Sequence, residues 1–231
     1  MLQTINLSKA YQGHQALQDL NLTVKKGEIF ALLGQNGAGK TTTINIFLGF
    51  VKPTSGQALI DGLDVSLHPA ETRKLTAYIP EVVQLYGNLD ALENLDFFSR
   101  LAGFRYSEER RREFLSMSGL QQEAFTKRLS GFSKGMRQKV GIAIAVAKNA
   151  AVIFMDEPTS GLDPKATEEF TGICRTLCTA GKTVLMATHD IFNAVTVADR
   201  IGIMKQGKLE HIIRAQDISA PELQKIYLET I

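Results

Sequence analysis

The feature that most constrains the fold of this chain is an apolar run that ends in a glycine-rich turn followed by Lys-Thr. Residues 28–33, Glu-Ile-Phe-Ala-Leu-Leu, predict a buried strand, because so short an apolar run does not make a typical helix. Residues 34–42 follow as Gly-Gln-Asn-Gly-Ala-Gly-Lys-Thr-Thr, and a helix is expected over residues 41–48. This order of strand, Gly-x-x-x-x-Gly-Lys-Thr turn and helix predicts a phosphate-binding loop.

The chemistry of this loop indicates that it binds a nucleoside triphosphate. Gly37 and Gly39 allow the backbone to curl, so that successive N–H groups face one concavity and bind anionic oxygens. Lys40 brings a positive charge to the β- and γ-phosphates, and the hydroxyl of Thr41 is a ligand for Mg²⁺. The alternative, a chance glycine-rich turn, is expected in about one chain in a thousand. The predicted nucleotide contacts are Gly34, Gln35, Asn36, Gly37, Ala38, Gly39, Lys40, Thr41 and Thr42.

Three further polar residues follow two other apolar runs. Residues 151–155, Ala-Val-Ile-Phe-Met, end in Asp156 and Glu157, and His189 follows the apolar run at residues 182–187. Asp156 is predicted to coordinate Mg²⁺, and Glu157 to polarise the water that attacks the γ-phosphate. His189, at the carboxyl end of its strand, is within reach of a ligand in the crevice of the sheet. The alternative for the acidic pair is a solvated loop.

The strand-like patterns predict an α/β fold. The three runs described above are apolar on both faces, which is typical of parallel strands covered by helices. Residues 2–7, 20–24 and 58–60 predict strands that are half-exposed and antiparallel. Gly207 lies between two further apolar segments and predicts a closing hairpin.

The segment of residues 85–147 differs from the rest of the chain. Its apolar residues recur at helical spacing, it is rich in Arg and Glu, and it has no strand-like run. We therefore predict an α/β P-loop nucleoside triphosphatase core with a mostly parallel sheet, an N-terminal antiparallel β subdomain and an inserted helical lobe. All 231 residues form one domain, whose core and β subdomain take about residues 1–84 and 148–231. The apolar residues that mark the lobe helices are Leu92, Leu95, Phe98, Leu101, Phe114, Leu115 and Met117.

Composition excludes several other classes of protein. The net charge of +2 and the absence of a basic tail argue against a nucleic-acid partner. No stretch of about 18 apolar residues is present, and the N-terminus does not resemble a signal peptide. Cys174 and Cys178 lie four apart on a predicted helix without a second Cys/His pair, so we expect two half-buried reduced thiols and a cytoplasmic location.

The motifs resemble those of the ATP-binding cassette (ABC) ATPases over almost the whole chain. That family combines the phosphate loop with a strand that ends in Asp-Glu, here Asp156 and Glu157. A Ser-Ala/Gly-Leu-Asp segment follows, here residues 160–163, and then a switch histidine, here His189. The resemblance implies that Lys40, Glu157 and His189 take part in catalysis. It also implies that Asp163 belongs to the nucleotide site.

The family signature has two candidate positions in this chain. Leu129-Ser130-Gly131 matches its first residues, but the pattern Ser-x-Gly-x-x-Gln-Arg/Lys then fails at Phe132. Beginning at Ser133, the pattern is matched throughout residues 132–139, 23 residues before Asp156. We therefore assign the signature to Ser133. The resemblance implies that Ser133 and the N–H of Gly135 bind the γ-phosphate held by a partner subunit.

Two other positions refine the resemblance. Tyr11 lies where the family has an aromatic residue that stacks on adenine, which favours ATP but also allows GTP. Glu81 stands where the family usually has glutamine, and its carboxylate is predicted to contact Mg²⁺ or the attacking water. Together with the Phe-Ser-Lys-Gly-Met signature, this variant resembles the branch that exports drugs, polysaccharides, lipids or peptides through separate membrane subunits.

The resemblance implies an ATPase subunit that uses ATP and Mg²⁺ to power transport, most often export. Two copies, or this chain and a paralogous ATPase, would pack head-to-tail around two ATP molecules. A separate transmembrane permease would hold the chain at the inner face of the cell membrane and select the transported molecule. The alternatives are a soluble ABC ATPase that acts on a scaffold, as in iron–sulfur cluster assembly, an importer subunit, and a DNA-repair ATPase. The last would need a long heptad insertion or a strong basic patch, and neither is present.

Overall fold

Ten strands and eight α-helices make up the fold, and the computed structural model describes all residues 1–231. In chain order they are β1 Leu2–Tyr11, β2 His14–Val24, β3 Ile29–Leu33, α1 Lys40–Phe47, β4 Ser55–Ile60, β5 Leu63–Asp64, α2 Pro69–Leu75, β6 Thr76–Ile79, α3 Ala91–Leu101, α4 Glu108–Met117, α5 Lys134–Ala147, β7 Val152–Asp156, α6 Pro164–Thr179, β8 Thr183–Thr188, α7 Ile191–Val197, β9 Arg200–Lys205, β10 Lys208–Arg214 and α8 Ala220–Thr230.

A six-stranded sheet with the order β10-β9-β3-β8-β7-β6 forms the centre of the molecule. All neighbours pair in parallel except β10 and β9, which are antiparallel. Every residue of β3 and β8 is buried, because both faces of the sheet are covered. Helices α5, α6, α7 and α8 pack on one face, and α1 and the antiparallel sheet described below pack on the other. The prediction that the three apolar runs form parallel strands is confirmed, and each strand begins one residue later than its run.

This sheet determines where the functional residues meet. The carboxyl ends of β3, β7 and β8 lie side by side, because these strands are adjacent and parallel. The glycine-rich loop follows β3, Asp156 ends β7, and His189 follows β8. Residues that are more than 100 positions apart in the chain therefore lie at one edge of the sheet.

A second, antiparallel sheet has the order β2-β1-β4-β5. It confirms the antiparallel strands predicted near residues 2–7, 20–24 and 58–60, although β1 continues to Tyr11. The hairpin of β9 and β10 around Gly207 is also confirmed. A Cβ atom at Gly207 would lie 2.8 Å from the Ala16 carbonyl, so only glycine allows this close approach to β2.

The helical lobe contains α3, α4 and α5 and has a hydrophobic core of its own. Leu95, Phe114 and Val140 are among the buried residues that these helices share. Asp90 begins α3 with a capping box, in which its side chain accepts from the N–H of Glu93. The expected helices are present, but Leu101 and Met117, which belong to the predicted apolar pattern, are exposed. The division of the chain at residues 85 and 147 remains a prediction.

Several elements differ from the sequence prediction. The short edge strand β6 and the helices α2 and α8 were not predicted. Cys174 and Cys178 are free thiols on α6, as expected, but Cys174 is fully buried rather than half-buried. Burial raises the pKa of both thiols, that of Cys178 to about 12, and keeps them protonated. No helix combines the length and the apolar character that a membrane crossing requires.

Candidate active site

The glycine-rich loop curls between β3 and α1 because its glycines adopt left-handed backbone angles. Gly37 has φ +83° and Gly39, which precedes α1, has φ +104°. A Cβ atom at Gly39 would lie 2.7 Å from both the Ala16 carbonyl and the side chain of Leu17. Glycine is therefore required at position 39, both for its conformation and for the space that it leaves.

Lys40 is held inside this loop. Its Nζ donates to the carbonyl oxygens of Gly34 at 2.6 Å and Gln35 at 3.2 Å. The same ammonium group lies 3.8 Å from Oε1 of Glu157, which is an ion pair but too long for a hydrogen bond. Burial lowers the pKa of Lys40, while the charges of Glu157 and Asp156 oppose that shift. The loop thus presents one fixed cation to an anionic ligand.

Thr41 and Asp156 bring two oxygen atoms together beside Lys40. The Thr41 hydroxyl donates to Oδ2 of Asp156 at 2.9 Å, across 115 residues of chain. Burial raises the pKa of Asp156, and the neighbouring charge of Glu157 adds to that shift, while the Thr41 hydrogen bond opposes it. A hydroxyl and a carboxylate in this arrangement are the oxygen ligands that Mg²⁺ prefers.

Glu157 and His189 are in direct contact. Glu157 has φ +44°, a left-handed backbone that is uncommon for a residue other than glycine. Its Oε2 accepts from the N–H of His189 and lies 2.9 Å from Nδ1 of that residue. Its Oε1 is buried without a hydrogen-bond partner. One carboxylate oxygen is therefore bound by His189, and the other is left as an acceptor on the Lys40 side.

Glu81 lies two residues beyond β6 and makes contacts that the sequence did not indicate. Its Oε1 accepts from the hydroxyl of Ser160 at 3.1 Å and lies 3.8 Å from Nζ of Lys134, the residue after Ser133 in the predicted signature. The side chain of Glu81 is 52% exposed, so solvent weakens this ion pair. Glu81 nevertheless connects the sheet, the Ser160 turn and the start of α5.

A cavity of about 370 Å³ unites most of the predicted site residues. Its walls also include His14 and Ala16, which no sequence pattern indicated, because they follow the turn after β1 and belong to no motif. The ring of Tyr11 is 42% exposed, and the ammonium group of Lys9 lies 4.7 Å from its centre. The predicted residues that line the cavity are Tyr11, Gln35, Asn36, Gly37, Ala38, Gly39, Lys40, Thr41, Thr42, Glu81, Asp156 and Glu157.

The remaining predicted residues lie outside the cavity walls. Gly34 contacts Lys40, and His189 contacts Glu157, so each lies directly behind a residue of the cavity wall. Ser133 begins α5 and accepts from the N–H of Met136, and Asp163 begins α6 in the same way, accepting from Ala166. Ser130, the rejected signature serine, lies in a short 3-10 turn at Leu129–Gly131. Ser133, Gly135 and Asp163 thus do not line the nucleotide cavity of their own chain, and their roles remain predictions.

The fold and this site define a P-loop nucleoside triphosphatase of the α/β class. Residues 17–160 match the family model described as ABC transporter, and the chain belongs to that family. It is an ATP-binding subunit of that family and an ATPase that hydrolyses ATP. The resemblance found in the motifs and the predicted fold class are thus both confirmed.

Three curated relatives illustrate the match. The bacitracin transport ATP-binding protein BcrA of Bacillus licheniformis is 38% identical over 90% of this chain and 68% of its own length. The linearmycin resistance ATP-binding protein LnrL of Bacillus subtilis is 35% identical over the same shares. The daunorubicin/doxorubicin resistance ATP-binding protein DrrA of Streptomyces peucetius is 34% identical over 90% of this chain and 63% of its own.

Solved structures agree with the fold. The dimeric ATP-binding cassette MJ0796, bound to ADP and Pi, superposes with a TM-score of 0.82 at 30% identity, covering 93% of this chain and 99% of that one. The cassette cbiO1 of Clostridium perfringens, part of the transporter complex cbiONQ, superposes with a TM-score of 0.86 at 27% identity. The superposition covers 98% of this chain and 94% of the cbiO1 chain.

Proposed function

We propose that this chain powers the export of antibiotic-like or drug-like molecules through a separate membrane permease. The observation that supports this proposal best is the similarity, over 90% of the chain, to ATP-binding proteins named for bacitracin transport and for linearmycin and daunorubicin/doxorubicin resistance. The permease would hold the chain at the inner face of the cell membrane. ATP binding and hydrolysis at the site described above would supply the free energy for transport.

The side chains at this site fit a magnesium nucleotide. Thr41 and Asp156 already share a hydrogen bond and would hold Mg²⁺ through their oxygen atoms, with the carboxylate of Glu81 on the same cavity wall as a further oxygen. Mg²⁺ supplies charge neutralisation at the β- and γ-phosphates. The curled backbone from Gly34 to Thr42 and the ammonium group of Lys40 would bind the phosphate oxygens, and Tyr11 would stack on the base.

Glu157 is the proposed general base for hydrolysis. Its Oε1 is buried and has no hydrogen-bond partner, so it can accept the proton of a water molecule that attacks the γ-phosphate. His189 contacts the other oxygen and would fix the orientation of the carboxylate. Lys40 would stabilise the charge on the transferred phosphoryl oxygens. These roles would use residues that the ends of β3, β7 and β8 bring to one edge of the sheet.

A head-to-tail pair of subunits would complete the site. Ser133 and Asp163 lie at the N-termini of α5 and α6, where backbone N–H groups attract anions, and neither lines the cavity of its own chain. Dimeric cassettes among the structural neighbours support this arrangement. The second subunit would be another copy of this chain or a paralogous ATPase.

The choice of Ser133 over Ser130 leads to a prediction. Ser133→Arg should leave nucleotide binding by the isolated chain within about twofold, because Ser133 lies outside the cavity. It should lower ATPase turnover by at least about 100-fold, since a bulky cation would block closure of the dimer. Ser130→Arg, three residues away in the 3-10 turn, is the matched control and should retain most activity. Equal or reversed losses in a steady-state ATPase assay would contradict the assignment of Ser133.

An aromatic patch beside the cavity is the proposed contact with the permease. We define it as Val82, Tyr86 and Phe97, which are all exposed, and the half-buried Phe98, whose ring contacts those of Tyr86 and Phe97. The ring of Phe97 lies 4.9 Å from that of Tyr86 and 5.2 Å from that of Phe98. An exposed apolar cluster of this kind favours a partner segment with apolar side chains, here a cytosolic segment of the permease. The patch begins next to Glu81, so movement at the nucleotide site would reach it directly.

The patch provides the experiment that tests the proposed function. The tagged wild-type chain, purified from membranes of its own source, should retain a multispanning protein, and Phe97→Asp should release that protein. ATPase activity of the isolated Phe97→Asp chain should remain within about twofold of wild type, because Phe97 does not line the cavity. Leu228→Asp, which adds the same charge to an exposed position on α8, is the control and should keep the complex.

Two outcomes would contradict the proposal. Retention of the multispanning protein by Phe97→Asp would rule out the aromatic patch as the contact. If the wild-type chain instead retained a cytosolic scaffold protein and no membrane protein, the transport function would be wrong. The chain would then be a soluble ABC ATPase that acts on a scaffold.

A further inference from the structure

Two buried amide side chains hold the turn that begins with Glu157. Gln138 on α5 is 1% exposed, and its Nε2 donates to the carbonyl oxygen of Pro158. Asn193 on α7 is 3% exposed, and its Nδ2 contacts the hydroxyl of Thr159 at hydrogen-bond distance. The turn is thus bound on one side by the helical lobe and on the other by the helix that follows His189.

This turn depends on such contacts because its own hydrogen bonds are few. Glu157 has a left-handed backbone, which persists only where the surroundings fix it. Within the turn, the N–H of Ser160 donates to the carbonyl of Glu157 at 3.2 Å. Pro158 has no N–H, so its carbonyl is the only backbone group through which it can be bound. Gln138 binds the carbonyl of Pro158 and so holds the backbone at the residue that follows Glu157.

The hydrogen bond from Gln138 has a fixed direction. A backbone carbonyl only accepts, so the amide nitrogen of Gln138 must face Pro158, and its Oε1 points away. That Oε1, Oδ1 of Asn193 and Oε1 of Glu157 are three of the five buried side-chain atoms that have no partner. A buried amide oxygen without a partner lowers the stability of the fold. The presence of two such amides therefore indicates that the hydrogen bonds of their nitrogen atoms have a function.

Gln138 is itself the glutamine of the predicted signature pattern and therefore ties this turn to that segment. It lies five residues after Ser133 on the same continuous helix, α5, which contributes to the core of the helical lobe. A displacement of α5 that moves Ser133 therefore moves the amide of Gln138. Pro158 is the next residue after Glu157, so the displacement reaches the carboxylate through one hydrogen bond and one peptide unit.

We infer that Gln138 is a positioning residue that makes the orientation of Glu157 depend on the position of the helical lobe. The inference rests on the proposed role of Glu157 as the general base. Gln138 does not line the nucleotide cavity, so its contribution is to turnover and not to nucleotide affinity. Hydrolysis is then efficient only when α5, and with it Ser133, is in place.

Two substitutions at position 138 test this inference. Gln138→Met keeps the length of the side chain and removes the donor, so kcat should fall by about 10- to 100-fold while the Kd for a fluorescent ATP analogue changes less than about twofold. Gln138→Glu restores a donor only when the carboxyl group is protonated. Burial raises the pKa of a carboxyl group, so the ratio of its kcat to that of wild type should rise as the pH is lowered from about 8.5 to about 6.

Controls separate positioning from folding and from the role of Glu157. Gln121→Glu makes the same change at an exposed position of the helical lobe and should show a constant ratio to wild type across this pH range. Thermal unfolding of each variant shows whether the chain is folded. A wild-type kcat for Gln138→Met, or a flat ratio for Gln138→Glu, would overturn the inference. Unchanged hydrolysis by Glu157→Gln would instead remove the proposed general base and leave the hydrogen bond of Gln138 without this function.

Discussion

Glu157→Gln should bind MgATP as wild type does, hydrolyse it at least about 100-fold more slowly and accumulate as an ATP-bound dimer. An amide oxygen accepts a proton far less readily than a carboxylate oxygen does. Because general base catalysis contributes about 100- to 10,000-fold to the rate of a reaction, its loss should slow hydrolysis by a similar factor. The shape of the side chain is preserved. The hydrogen bond between Thr41 and Asp156 does not involve Glu157, so the two proposed magnesium ligands should keep their positions.

Size-exclusion chromatography with and without ATP measures the dimer, and phosphate release measures hydrolysis. Glu168→Gln removes one exposed carboxylate from α6 and serves as the control, with wild-type turnover and a transient dimer. The nucleotide should dissociate from the Glu157→Gln dimer slowly, because opening follows hydrolysis. A monomer that still hydrolyses ATP at the wild-type rate would contradict the role of Glu157.

Much of the fold could be predicted because local patterns carry it. Five-residue strands such as β3 and β7 are buried on both faces and therefore appear in the sequence as continuous apolar runs. The glycine-rich loop has strict backbone requirements, as the close contacts of Gly39 show, so it too leaves a local pattern. Polar residues that follow adjacent parallel strands lie at one edge of the sheet, which is why the sequence alone predicts both Asp156 and His189 near the bound ligand.

Other elements could not be predicted because their sequences are ambiguous. Strand β6, Thr-Ala-Tyr-Ile, is short and of mixed polarity, and it forms because it pairs in parallel with β7. Helix α2 is a seven-residue connection that packs beside β6 and has one buried residue, Thr72. Such segments take their conformation from neighbours that are distant in sequence, and no local propensity identifies them.

The second layer of the site was missed for a related reason. The ion pair of Glu81 with Lys134 and the hydrogen bond of Gln138 to Pro158 link the signature segment to other parts of the site. The signature pattern contains Lys134 and Gln138, but it does not indicate which residues they contact. Their side chains meet because α5 packs against β6. The motifs locate groups that face the nucleotide, whereas the residues that support those groups are determined by packing.

Lys40→Ala should abolish turnover and weaken ATP binding by about 10- to 100-fold. Nζ of Lys40 is the cation that the loop fixes by two hydrogen bonds to its own carbonyls, and charge-assisted hydrogen bonds contribute about 1.5–3 kcal/mol each. Alanine should leave the curled backbone and its N–H groups in place, because the loop is also held by backbone hydrogen bonds, from Ala38 to Gln35 at 3.1 Å and from Gly207 to Ala38 at 3.0 Å. Some affinity for ATP should therefore remain, whereas the charge that stabilises the transferred phosphoryl group is lost.

Equilibrium titration with a fluorescent ATP analogue and an ATPase assay on the same preparation separate these two effects. Lys26→Ala, at an exposed position remote from the cavity, is the matched control and should leave both quantities within about twofold of wild type. Removal of Lys40 also leaves the carboxylate of Glu157 without its nearby cation, so thermal unfolding must confirm that the variant is folded. If the folded variant hydrolysed ATP at the wild-type rate, the phosphates could not be bound by this loop, and the proposed active site would be wrong.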